Sequence, residues 1–144
     1  MSEHLSDSRG LTDLHEAAHI YLRYNDAENE HDLQTAGTLV APDLAVEING
    51  IAQIASAEED AKANAELFRT YPDYRRDIVE VVPSGPRAAI RWHMRGTPAP
   101  GLTVPPLDVH GCSFVEVQDG RMIRAALYVN GQALSDVLDR AQGS

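Results

Sequence analysis

Residues Arg87–Thr97 read RAAIRWHMRGT, and their alternation decides the architecture. Ile90, Trp92 and Met94 oppose Arg91, His93 and Arg95 with a period of two, the signature of a strand with one buried face. By burial alone the apolar trio faces a core and the basic trio faces water. Working outward, a P-S-G-P turn at 83–86 precedes this strand, and residues 74–82 (YRRDIVEVV) alternate imperfectly before it. Residues 98–106 hold four of the eight prolines and read as a loop, a candidate lid. Residues 108–117 and 121–130 then form two strands joined by Asp119-Gly120, a hairpin signal.

Upstream the period changes. Residues 12–29 carry Leu11, Leu14, Ala18, Tyr21, Leu22 and Asn25 at helical spacing, with Thr12 as a cap and Asp13 and Glu16 in the first turn. Asp32 caps a short helix with Leu33, Ala36, Leu39 and Val40, stopped at Pro42. LAVEING (44–50) alternates, with Val46 and Ile48 opposite Glu47 and Asn49, and turns at Gly50. Ser56 and Glu59 form an S-x-x-E capping box that opens a third helix through Ala61, Ala65 and Phe68, ended by Tyr71-Pro72. Residues 131–141 make a last short helix with Ala133, Leu134, Val137 and Leu138 apolar. Helices segregated from a run of antiparallel strands mean an α+β fold.

The 144 residues suit one domain. We expect a loosely ordered segment 1–10 and a domain over 11–141. A net charge of −10 argues against nucleic acid and anionic membrane surfaces as partners. The single cysteine, Cys112, allows no internal disulfide, and no signal-like or spanning apolar run occurs, so a cytoplasmic location is expected.

His15-Glu16-Ala17-Ala18-His19 matches H-E-x-x-H, a zinc-protease pattern. Catalytic zinc needs three protein ligands. No third histidine follows at the extended spacing, Glu16 lies nearly opposite the apolar stripe, and both histidines sit on its flank. The expectation is a solvated helix flank and no metal. His4 and His31 also read as solvated.

Several phrases, in order, resemble the SnoaL-like polyketide-cyclase branch of the nuclear-transport-factor-2-like superfamily. They are YNDAENEHDLQTAGTLVAPDL, VEINGIAQIASAEED, ELFRTYPDYRRDIVEVV, AAIRWHMRGT, VPP and VEVQDGRMIRAALYVNGQAL, spanning about 20–138. The resemblance implies a cone-shaped, curved, mostly antiparallel mixed sheet closed by N-terminal helices, a cystatin-like α+β barrel. It implies a deep pocket for an apolar small molecule, no cofactor, and a homodimer. The activities implied are aldol cyclisation, dehydration or isomerisation of a polyketide- or terpenoid-like molecule. A non-catalytic binding protein and an epoxide hydrolase are the alternatives.

The resemblance also reverses one local reading. Related epoxide hydrolases carry Arg-x-Asp pointing inward on the corresponding strand, which would place Arg91 and His93 in the pocket and Trp92 on the outer face. An aromatic-x-Asn pair on the early strand corresponds to Glu47-Ile48-Asn49. The sequence departs from these relatives at His93, at Leu127, where an acid is expected, and at Asn130. On this footing the catalytic candidates are His93, as an imidazole base, and Glu47. Arg91 and Asn49 would bind a developing oxyanion. Asn25, Tyr24, Tyr128 and Leu127 would contact substrate. Cys112 and Ser113 read as packing, with either one facing inward.

Overall fold

A computed structural model describes residues 14–143. The expected Thr12 cap, Leu11, Asp13, His4 and the expected loose segment 1–10 lie outside the described residues. Helix α1 (Glu16–Asn29) and helix α2 (Leu33–Thr38) lead into strand β1 (Val40–Ile48) and strand β2 (Ile51–Ile54). Helix α3 (Ala57–Thr70) follows, then β3 (Arg75–Ser84), β4 (Arg87–Gly96), β5 (Leu107–Gln118), β6 (Arg121–Val129) and helix α4 (Ala133–Gly143).

The order across the sheet is β2-β1-β6-β5-β4-β3. Only β1 and β6 run parallel, and the other four pairs are antiparallel. The fold is α+β with a mixed sheet, as expected, but the sheet is not closed on itself: β2 and β3 are its edges. Helices cover one face only. Along β4 that face takes Ala88, Ile90, Trp92 and Met94, all buried. Along β5 it takes Leu107, Val109, Ser113, Val115 and Val117. The apolar side chains leave water there, which stabilises the layer at roughly 25 cal/mol per Å². The other face is open.

Local chemistry sets the element ends. Ser56 Oγ accepts from Glu59 N at 3.1 Å, and Glu59 Oε1 accepts from Ala55 N at 2.7 Å, so the capping box forms with the return bond one residue early. Asp32 caps α2 by accepting from Thr35 N. Asp119 and Gly120 both have positive φ (54° and 77°), the backbone of a two-residue hairpin. Gly111 lies against the Trp92 ring, where a Cβ would approach Cη2 to 2.5 Å.

Four local expectations are corrected. Helix α2 ends at Thr38, and Val40 to Pro42 belong to β1, because extension toward β6 satisfies their backbone in the sheet. On α3 the buried positions are Asp60, Ala63, Asn64 and Leu67, while Ala61 and Ala65 face water. On α1 Leu14 is 42% exposed, and the buried stripe runs through Ala17, Ala18, Tyr21, Tyr24, Asn25 and Glu28. His31 is half-buried, stacked on Phe68 at 4.2 Å with its Nε2 3.2 Å from the Tyr74 carbonyl.

Candidate active site

A cavity of about 80 Å³ lies between the helix-covered face and α1, α3 and α4. Its apolar wall is built by β1 (Val46, Ile48), β6 (Ala125, Leu127) and α4 (Leu134, Leu138). Its polar wall is built by Tyr21, Tyr24 and Glu28 of α1, Asp60 and Asn64 of α3, Arg76 of β3 and Ser113 of β5. These side chains point inward because α1 and α3 each place polar residues on a buried helical stripe. Asp60 and Asn64 are one turn apart, as are Tyr24 and Glu28.

The polar wall contains two linked networks. In the first, Tyr24 donates from its hydroxyl to Asp60 Oδ2 at 2.7 Å, and Asn64 Nδ2 donates to the Tyr24 oxygen at 3.0 Å. Burial pushes the Asp60 carboxyl up to about 7, with the Glu28 charge adding to the rise and the Tyr24 hydrogen bond and Arg76 opposing it. In the second, the buried Arg76 guanidinium forms an ion pair with Glu28 and donates from Nε to Asn25 Oδ1 at 2.7 Å. Its backbone is held by Asn25 and Asn29. Burial works against the Arg76 charge, but Glu28 outweighs it and keeps the guanidinium protonated. Burial likewise raises the Glu28 carboxyl, against the pull of Arg76. Arg76 also sits over the Tyr21 and Trp92 rings at 5.2 and 5.7 Å.

One polar atom in this wall is unsatisfied. The Tyr21 hydroxyl is buried beside Ser113 and makes no hydrogen bond of ordinary geometry, and that of Tyr74 nearby has no partner. An orphaned buried hydroxyl costs on the order of 1–3 kcal/mol. In a cavity wall such a group can receive a ligand oxygen.

The residues expected from sequence divide between the two faces. Tyr24 and Leu127 line the cavity. Asn25 is not at a pocket mouth but is buried beneath Arg76. His93, Arg91, Glu47, Asn49 and Tyr128 are absent from the cavity wall. Arg91 pairs with Glu80 on the open face, and Tyr128 is 49% exposed there. Asn49 bonds the Val129 backbone through both side-chain atoms. Glu47 on β1 and His93 on β4 are separated by β5 and β6, about 14 Å of strand spacing. They do not converge. Trp92 faces the core, 1% exposed, and donates from its indole nitrogen to Ser113 Oγ at 2.9 Å. The register read from burial alone is the one observed, since turning Trp92 out would expose an indole and bury Arg91 without a partner. Ser113 faces inward, and Cys112 faces outward. The 98–106 loop contributes nothing to the cavity wall and is pinned at the end of α3 by Ala99 N donating to the Thr70 carbonyl.

Asp60, Asn64, Glu28 and Arg76 escape the sequence reading, while Tyr21, on the expected helical stripe, lines the cavity. Asp60 lies in the first turn of α3, where an acid suits the helix dipole and needs no further role, and Arg76 sits in an imperfectly alternating strand. One signal was present: polar residues at helical spacing interrupt two apolar stripes.

Residues 21–125 match the family model for the SnoaL-like domain, most of the chain, from within α1 to within β6. The chain belongs to the SnoaL-like domain family. Among solved structures, an LEH-like epoxide hydrolase of M. tuberculosis superposes with a TM-score of 0.70 at 18% identity, covering 89% of this chain and 92% of the other. A protein of Jannaschia sp. CCS1, named as a SnoaL-like polyketide cyclase, gives 0.68 at 19% identity over 85% and 91%. A protein of Kribbella flavida DSM 17836, named as a ketosteroid isomerase, gives 0.66 at 22% over 84% and 82%. Proteins of NTF2-like and cystatin fold share the architecture too. These likenesses show the fold of this SnoaL-like domain. No curated protein matches the chain. No helix among the described residues is long and apolar enough to cross a membrane.

Proposed function

We propose that this SnoaL-like domain is a cofactor-independent acid–base enzyme acting on a small, largely apolar molecule that carries a carbonyl. The observation that carries the reading is the Asn64–Tyr24–Asp60 chain opening on the cavity. A carboxyl near 7 exchanges protons readily at neutral pH. Ionised Asp60 takes a proton from the carbon next to the carbonyl, and the electron pair moves onto the carbonyl oxygen. The Tyr21 hydroxyl donates to that oxyanion, and the Arg76 charge favours it. Returning the proton to another carbon gives isomerisation, and attack of the enolate carbon on a second carbonyl gives aldol cyclisation.

About 80 Å³ is smaller than the sites of drug-sized ligands. A polyketide-sized substrate therefore requires α4 to yield at Leu134 and Leu138. Epoxide opening is disfavoured, because Ala125 and Leu127 put no carboxylate on the β6 wall.

The test is deuterium incorporation next to the carbonyl in a panel of cyclic ketones in heavy water, followed by NMR. Asp60→Asn should lose exchange by about 10²–10⁴-fold with its fold intact. Exchange equal to wild type in both Asp60→Asn and Tyr24→Phe would sink the assignment. Binding of ketones by the wild type without exchange would favour a carrier of the same fold.

The homodimer is proposed through the part of the open face around Phe114. Phe114 (54% exposed) packs edge-to-face with Tyr128 at 6.1 Å, and Val82, Ala89 and Ala126 continue the row. Phe114→Glu should convert a dimer to a monomer in light scattering. A wild-type monomer at high concentration would exclude this interface.

A further inference from the structure

The open face displays its side chains in ladder rows, because β3 to β6 pair residue against residue. One row sets His93 directly opposite His110, and their rings stack 4.0 Å apart with 8° between planes. Asp108 is two residues from His110 on the same face of β5. His93 Nε2 lies 2.5 Å from Asp108 Oδ1, and His110 Nε2 lies 3.9 Å from it. One ligand atom from each of the three residues lies within 4.8 Å of the other two, and no other such trio occurs among the described residues. The acid–base reading uses none of them, since the cavity is on the opposite face.

The geometry points to a binding site for one divalent transition-metal ion of the zinc class, held by His93, Asp108 and His110 with a coordination position open to solvent. Two imidazoles and a carboxylate are a donor set suited to such ions. Tetrahedral ligands at about 2.1 Å from zinc stand about 3.4 Å from one another. The observed spacings of 2.5 and 3.9 Å bracket that value and all three ligand atoms lie within 4.8 Å of one another, so side-chain rotations that unstack the two parallel rings and turn both ring planes onto a common point would close the site. Two paired strands fix the ligand positions more firmly than a loop would.

The surrounding charges permit a cation. The flanking Arg95 is paired with Asp77, and Arg91 with Glu80, so neither guanidinium needs Asp108. The chain as a whole carries −10. By contrast, His15 and His19 of the H-E-x-x-H match stack 5.9 Å apart and exposed, with no third donor among the described residues.

The experiment titrates the chelator-treated full chain with Zn²⁺ by calorimetry. The expected result is one saturable site per chain. His110→Ala and the near-isosteric Asp108→Asn should each weaken it at least about tenfold, with unchanged circular dichroism. A His15→Ala/His19→Ala double variant should bind like wild type. Co²⁺ in place of zinc should broaden amide NMR signals of β4 and β5 and spare those of α1. Absent or unsaturable uptake, wild-type affinity in Asp108→Asn and His110→Ala, or loss of binding in the α1 double variant would each overturn the proposal.

Discussion

Asp60 is a carboxyl buried against α1, and its burial has a cost that depends on pH. Its carboxyl titrates near 3.8 when the chain is unfolded and at about 7 in the fold. Below pH 4 both states hold the proton, and there is no differential. As pH rises to 7 the unfolded chain releases its proton first, so folding stability falls through that window. Holding the carboxyl at about 7 instead of 3.8 costs on the order of 4 kcal/mol, fully felt above pH 7. Asp60→Asn should therefore raise the melting temperature at pH 8 and leave it nearly unchanged at pH 4, while removing activity. Equal shifts at both pH values in thermal melts would contradict the assignment. In the wild type, kcat/KM should rise with pH through about 7 as the base ionises. Arg76 behaves differently. Arg76→Met strands the buried Glu28 carboxylate and should cost about 3–5 kcal/mol in urea unfolding. Adding Glu28→Gln should recover a large part of that loss, because the cost lies in the unpaired charge.

Elements were more legible than the faces they present. The capping box at Ser56 named the start of α3, since side-chain-to-backbone bonds three residues apart are local chemistry. Ser56→Ala should cost about 1 kcal/mol by chemical denaturation. The alternation of Ile90, Trp92 and Met94 named both the strand and its buried face. The family analogy reversed that face, and the observed burial reverses it back. On α3 the sequence reading chose Ala61 and Ala65 over Asp60 and Asn64 because polarity usually marks the wet side. That inference fails where two polar residues satisfy each other inside, as Asp60 and Asn64 do through Tyr24. Gly111 makes the same point for tight packing. Its neighbour Trp92 comes from another strand, so nothing in the local sequence announces the contact. Gly111→Ala should cost about 1–3 kcal/mol and shift the tryptophan fluorescence.

At the scale of the whole molecule, fold and cavity are separable. Ala63 and Ala125 both face the cavity, and Ala125→Leu should fill part of it. Eliminating all of about 80 Å³ is worth at most about 2 kcal/mol, a few degrees in melting temperature. The same change should abolish exchange on the ketone panel. Stabilisation with full activity would move the active site elsewhere. The α+β class, the long helices and strands, the hairpin and the Ser56 and Asp32 caps were legible in the sequence, because periodicity and short-range hydrogen bonding are written locally, whereas the short edge strand β2 was not. The acidic composition, a net charge of −10, was legible in the same way. The candidate site residues are brought together by packing alone. Tyr24 and Asp60 meet across 36 residues and Arg76 and Glu28 across 48, while His93 meets His110 through strand register. Such groups become neighbours, and acquire unusual proton affinities, only when packing brings distant segments together and removes the water between them.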